Sequence, residues 1–415
     1  MLRKTIFAKA TVFAAALCYS PFGYSQGTSP DLIGLRKSIT QYNHGGTHST
    51  PIGQDRLNTI TTAVPILTVS PDARSAALGD AGVAISPDAN TSHWNVGKLG
   101  FVQNNIGVSM SYSPWLRNIV NDMSLSYLSG YKKVGENSAF SASMMYFDLG
   151  TIQFTDVNGQ SLGDYNPKEY TFNIAYGLRL SEFFGIGLGA KFIHSNLTGN
   201  INSGGTTTEE PRPGNTGALD FGMYYNRDLV VGARDLNVAF GANLSNLGPK
   251  VSYTVANSRD FLPTNLRLGT ALTLDLDPYN SITLTVDGNK LLVPTPQPDG
   301  SERDLSVLGG LFSSFRDAPG GASEELQEIN ISTGIEYWYD QLFAVRAGYF
   351  YESPMKGNRQ YFSFGFGIRY QKFGLDGAYI LPNEQNNPLS QTFRISLVFN
   401  LEGDDSATAP TSLNR

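Results

Sequence analysis

Cysteine is almost missing from this 415-residue chain: the single one, Cys18, lies in the N-terminal segment. Beyond that segment no disulfide, thiol nucleophile or zinc–thiolate site can form. Long apolar runs are missing too. No stretch of 18 uncharged apolar residues occurs, which excludes a helical membrane protein. Charged residues are scarce, at 16%, and the formal net charge is −6, which argues against a nucleic-acid partner. There are four histidines, and none sits in a catalytic or metal-binding pattern. His44 and His48 flank Gly45-Gly46, which argues against the helix an i,i+4 metal pair needs. His194 and Ser195 are adjacent, so on a strand they point to opposite faces, against a lipid hydrolase pair. Gly185-Ile186-Gly187-Leu188-Gly189 lacks the lysine of a phosphate loop, and Asp156-Val157-Asn158-Gly159 reads as a turn rather than a full calcium loop. The chain is read as a non-enzyme with no cofactor.

What the chain does have is aromatics and glycine: 24 Phe, 21 Tyr and 3 Trp, with 44 Gly. Many aromatics, many glycines and few charges suit an all-β protein, not a disordered chain. Residues 1–25 read as a signal peptide, with Arg3 and Lys4, an apolar stretch Ala10 to Leu17, and small residues at Gly23 and Ser25. Leu17 stands where a lipoprotein signal needs a small residue. Residues 26–57 form a polar, irregular extension containing Asn43-His44-Gly45-Gly46.

From about residue 104 the chain alternates with period two. In Thr392 to Leu401, Phe393, Ile395, Leu397, Phe399 and Leu401 share one face, and Arg394, Ser396 and Asn400 the other. Tyr361 to Tyr370 and Tyr170 to Leu180 repeat the plan. Fourteen such segments are counted, starting near Asn104, Met123, Ser138, Glu169, Phe183, Gly217, Asp235, Asn265, Ser281, Ile329, Gln341, Tyr361, Gln371 and Gln391. Each is about ten residues long, the length a tilted strand needs to cross a bilayer. Short connections alternate with long ones, among them 289–328. An even number of strands with alternating connection lengths predicts a 14-stranded antiparallel transmembrane β-barrel over 104–401, with a polar periplasmic tail at 402–415. A soluble two-sheet protein is the alternative. The signal peptide, the missing cysteines, the alternation of connection lengths and the tyrosines near strand ends favour the barrel. Charge falls on the polar rows, at Arg179, Lys191, Arg267, Asp275, Glu336, Arg346, Arg369 and Arg394, and is expected to face the lumen. On the lipid face each Arg or Lys would cost about 2–4 kcal/mol at midplane.

Residues 58–103 precede the barrel. Small residues, few charges and close glycines suit a compact plug, and a fourteen-stranded lumen is too wide for wall side chains alone to fill. Its candidate residues are Arg74, Leu78, Gly79, Asp80, Asp88, Trp94 and Asn95. An ordinary cap outside the barrel is the alternative.

At Leu78-Gly79-Asp80-Ala81-Gly82-Val83-Ala84, Asp88-Ala89 and Trp94-Asn95-Val96-Gly97 the chain resembles the hatch of FadL-type outer-membrane transporters. That family commonly shows Asn-Pro-Ala where this chain has Asn95-Val96-Gly97. It resembles the PorV branch of the type IX secretion system more closely. The carrying residues are Thr62-Ala63-Val64-Pro65-Ile66-Leu67, Pro71-Asp72-Ala73-Arg74, and Ser86-Pro87-Asp88-Ala89-Asn90 with His93-Trp94-Asn95. In the long loop, Asn289-Lys290-Leu291-Leu292-Val293-Pro294-Thr295-Pro296 and Ser314-Phe315-Arg316-Asp317-Ala318-Pro319-Gly320-Gly321 look like that branch. The resemblance spans roughly 58–401. It implies an outer-membrane barrel, FadL-like in fold, with loops at the cell surface. It also implies partners: secreted cargo proteins with C-terminal signal domains, the type IX translocon, a sortase-like attachment complex and outer-membrane lipid. A FadL-type transporter of hydrophobic small molecules is the alternative. Prolines stiffen the long loop after Leu292, while Val307 to Phe312 is apolar. Lys290, Leu291, Leu292, Val293, Pro294, Phe312 and Phe315 are its candidate partner-binding residues, either exposed for a partner or packed onto the rim.

Overall fold

Side chains that alternate greasy and polar leave a strand one face for lipid and one for the interior. In the computed structural model this gives a closed antiparallel barrel. The structure describes residues 58–115, 122–155, 161–197, 212–253, 259–297, 305–383 and 392–401. Residues 1–57, with the signal segment, the extension, Cys18, His44 and His48, lie outside the described residues, as do Asp156 to Gly159 and the tail 402–415.

The wall consists of β1 (Ile106–Pro114), β2 (Ser124–Lys133), β3 (Ser138–Asp148), β6 (Lys168–Arg179), β7 (Phe184–Asn196), β8 (Gly214–Val231), β9 (Arg234–Leu247), β10 (Asn265–Asp277), β11 (Asn280–Leu291), β12 (Ile329–Tyr339), β13 (Phe343–Tyr351), β14 (Gln360–Tyr370), β15 (Phe373–Pro382) and β16 (Phe393–Leu401). Each begins within three residues of its expected start. Neighbours in sequence are neighbours in the wall, and β16 closes onto β1 in a register running from Ile106↔Leu401 to Tyr112↔Ile395. Two strands were not expected. β4 (Ile152–Thr155) and β5 (Ser161–Tyr165) form a separate hairpin in the connection between β3 and β6. The β8–β9 hairpin is also longer than expected. Beyond Tyr225, β8 pairs with β9 alone, so the hairpin projects past the wall.

All the short connections lie at one end, where β1 starts and β16 finishes, and all the long ones lie at the other. At the short end, Asp340 and Gln341 both take positive φ near 51°, a tight turn whose twist matches the strands it joins. The outward rows are exposed aliphatics and aromatics, such as Phe362, Phe364, Phe366 and Ile368 on β14 and Ile395 and Leu397 on β16. Alternate residues, Ser363 on β14 and Arg394 and Ser396 on β16, are buried inside. A surface of that kind suits hydrocarbon and not water.

The interior is filled by residues 58–103. A 3-10 turn, Pro65–Thr68, packs Ile66 and Leu67 against Leu125, Tyr127, Ile193 and Leu262. Two single-turn helices follow, α1 (Ala73–Ala76) and α2 (Thr91–Trp94), then a 3-10 segment Val96–Phe101 that leads into β1. At the far end of this segment Asn58 donates its backbone N–H to Met355 O, at the long-loop mouth. The segment therefore runs the length of the lumen. The long loop between β11 and β12 carries α3 (Val307–Ser313) and α4 (Ala322–Gln327).

Candidate functional site

Two arrangements stand out, one inside the barrel and one on its rim. Inside, Asp72 organises the plug. Its carboxylate caps α1 by accepting from Ser75 N–H at 2.9 Å, and its other oxygen accepts from Trp94 Nε1 at 2.7 Å. Burial, with Asp88 nearby, pushes its pKa up to about 6. Trp94 lies directly over Gly82, where any Cβ would strike the indole ring. Gly79 is needed for two reasons: its φ is +67°, and a Cβ there would lie 2.6 Å from Tyr349 O on the wall. Lys98 is buried and donates to Gly82 O at 2.8 Å, and burial lowers its pKa to about 8.

Directed polar bonds tie the plug to the wall. Ala73 N–H donates to Ser396 Oγ and Gly79 N–H to Ser363 Oγ, both at 2.9 Å. Gly82 and Val83 N–H both donate to one oxygen of Asp287, at 2.6 and 2.9 Å. Asn95 Nδ2 donates to Val83 O and to Met223 O. Through the middle runs a chain of alternating charge. Arg74 contacts Asp88 at 3.1 Å and grips both oxygens of Glu336, at 2.8 and 3.0 Å. Glu336 also accepts from Arg346 at 2.6 Å, Arg346 donates to Asp376 at 2.8 Å, and Asp376 accepts from Arg369 at 2.8 Å. Three guanidinium groups and three carboxylates leave the row neutral, which is how buried charge is tolerated.

The expected lumen charges fall as follows. Glu336, Arg346 and Arg369 are in that row. Arg394 pairs with Asp80 at 3.6 Å, and Asp80 also accepts from Tyr361 at 2.5 Å. Arg267 lies 4.9 Å over the Trp94 ring. Lys191 reaches Asp220 at 3.2 Å and Asn246 at 2.6 Å. Arg179 lies over Phe101 and donates to Asn137 near the short-turn end. Asp275 stands exposed near a short turn, and no ion pair among the described residues includes it. Of the expected plug residues, Arg74, Asp80, Asp88, Trp94 and Asn95 make the polar contacts above, and Leu78 and Gly79 lie against Gly334 and Gly348 of the wall. Sequence reading missed Asp72, Lys98 and Asp287 as organisers. Asp72 could have been found from its N-cap position before a short small-residue run. His194 and Ser195 point to opposite faces: Ser195 is buried and bonded to Glu169, while His194 stacks on outward-facing Tyr170.

On the rim, the loop between β11 and β12 is folded down by ions. Glu328 accepts from Lys290 at 2.6 Å, Lys356 at 3.0 Å and Thr295 at 2.6 Å. Glu324 takes Lys356 at 2.6 Å and Asn58 at 2.8 Å. Burial pushes the Glu324 pKa up, but hydrogen bonds from Lys356, Asn58 and Gly320 together with the Lys356 charge outweigh it and leave the pKa lowered. Among the candidate loop residues the structure divides two groups. Leu292 and Val293 are buried, Leu291 and Pro294 half-buried, and Lys290 is locked in the ion cluster. Phe312, at 71%, and Phe315, at 45%, are exposed, with Leu308 and Leu326 beside them.

A family model described as "Type IX secretion system protein PorV" matches residues 52–298, more than half of the chain. Among solved structures, the Ralstonia pickettii toluene transporter TbuX is similar at 12% identity, covering 80% of this chain and 98% of its own, with a TM-score of 0.45. The P. putida toluene transporter TodX is similar at 10% identity, 80% and 99% coverage, and a TM-score of 0.44. A Pseudomonas aeruginosa FadL homologue is similar at 10% identity, 83% and 100% coverage, and 0.41. No curated protein matches the chain.

Proposed function

The chain belongs to the PorV family of type IX secretion system proteins, and on that premise we propose that it is a docking barrel that receives secreted cargo bearing C-terminal signal domains from the translocon and passes it to the sortase-like attachment complex at the cell surface. It is an outer-membrane β-barrel of that secretion system. The observation that carries the carrier reading is the family match, which spans the plug and most of the wall. Two features support it. The lumen is occupied along its length by a plug bonded to the wall at many points, which favours work at the mouth over conduction. The external loop holds large apolar side chains, Leu308 and Phe312, out in water while its own base is pinned by ions. Exposed apolar patches of this kind mark interaction surfaces, and on a loop that stands at the barrel mouth a protein partner fits.

Deleting the gene is expected to leave cargo with its C-terminal signal uncleaved, and normal processing would contradict the reading. A finer test is Leu308→Asp with Phe312→Asp. Both residues are exposed, so the barrel should fold normally while cargo transfer falls by about tenfold. Transport of hydrophobic small molecules, the other reading, requires a continuous greasy path past the plug, and direct uptake assays separate the two.

A further inference from the structure

The β11–β12 loop also folds back over the outside of the barrel. Lys290 and Ile329 are register partners at the end of the β11–β12 pair. Both stand on outward rows. Leu284 and Val286 precede Lys290 on its row, Ile331 and Ile335 follow Ile329 on its row, and all four are exposed members of the lipid-facing belt. Above that belt the loop returns. Phe315, Arg316, Ala322 and Leu326 come back toward Lys290 and Ile329 and enclose an open groove of about 450 Å³. Leu326 is 68% exposed there, a state that water disfavours and hydrocarbon does not.

The charges around the groove are unevenly matched. Lys290 is neutralised by Glu325 at 3.0 Å and Glu328 at 2.6 Å. Arg316 is exposed, and no side-chain bond or ion pair among the described residues includes its guanidinium. An apolar trough with one uncompensated cation at its lip fits an amphiphile: a hydrocarbon chain in the trough and an anionic head against the guanidinium. Lys290 and Ile329, which line it, continue the outward rows of the exposed belt, and that continuity points to the bilayer as the source.

We infer that this groove holds an acyl chain of an outer-leaflet lipid, with the lipid's anionic headgroup against Arg316. The membrane then helps to fix the β11–β12 loop, whatever cargo the mouth handles. The inference uses only the barrel's place in the outer membrane and stands apart from the carrier reading.

The test is native mass spectrometry of the full chain in detergent, titrated with palmitoyl-oleoyl phosphatidylglycerol or the matching phosphatidylcholine. Ala322→Trp fills the trough from an exposed position. It is expected to reduce retention of both lipids by about tenfold, whereas Arg316→Gln weakens phosphatidylglycerol alone by about threefold. Leu326→Gln, also at an exposed site, serves if the tryptophan variant does not fold, as read by its mobility on an unheated gel. Undiminished retention in the folded variants would mean only general belt lipid and would overturn the inference. So would a photo-crosslinker at Leu326 that captures a polypeptide instead of lipid in intact outer membranes.

Discussion

The plug meets its wall in two different ways. Toward β12–β16 it is held by directed polar bonds: Arg74 on Glu336, Ala73 on Ser396, Gly79 on Ser363 and Asp80 on Tyr361. Toward β6–β9 it lies backbone against backbone over glycines. Val96 and Gly97 sit on Gly187 and Gly222, Leu99 on Gly177, and Val83 on Gly241, where any Cβ on the wall would collide with the plug. The first side fixes orientation through charge geometry, at the expense of burying ions that must all stay paired. The second fixes distance, because nothing larger than hydrogen fits between the chains. Glycine contacts occur on the first side too, where Leu78 and Gly79 lie on Gly334 and Gly348, and Asn95 bonds Met223 O on the second, so what separates the two sides is the ion row, which only the first carries.

The sharpest way to break this contrast is Glu336→Ala. It removes the carboxylate shared by Arg74 and Arg346, both buried, leaves the row with one uncompensated positive charge, and should lower stability by about 3–5 kcal/mol, read as a lower melting temperature of the detergent-solubilised barrel. The next effect comes from pH. Asp72 has a folded pKa near 6 against an ordinary value of 3.8. The folded state therefore holds the proton more tightly, so this group's stabilising contribution is full below about 3.8 and is lost as pH rises through 6. The melting difference between the wild type and Asp72→Asn should change by no more than about 3 kcal/mol across that window and be flat above it. A flat difference throughout would remove Asp72 as the titrating group. On the β6–β9 side, Gly187→Val should cost about 1–3 kcal/mol, since the obstacle is the Val96 backbone and cannot rotate away. If it cost nothing, the plug would be loosely seated on that side. The smallest effect is expected on the rim. Arg359 pairs with Glu352 at 2.7 Å but is 44% exposed, so Arg359→Ala should cost less than about 1 kcal/mol and leave the plug unaffected.

The two sides also differ in how far the sequence revealed them. The charges on β12–β16 were visible as a polar row, and their inward direction followed from the period of two. Their partners were not visible: Arg74 and Glu336 are 262 residues apart, and no local pattern relates them. The glycines of β6–β9 read as small lumen residues, but nothing in the strand named the plug atoms that need the space. On the loop, Leu292, Val293, Phe312 and Phe315 looked alike as apolar residues, and only folding separated the buried pair from the exposed pair. The β4–β5 hairpin and the projecting end of β8–β9 were missed because both stand outside the wall, where no lipid face enforces clean alternation.

The sequence by itself determined the number of wall strands, their order and which side of each meets lipid, because side-chain direction along a strand is a local property and hydrocarbon punishes every misplaced charge. Only the tertiary structure decided which charge answers which, how closely the plug approaches each strand, and which loop residues remain uncovered. Those outcomes depend on distances between segments hundreds of residues apart, which come into existence only when the barrel closes.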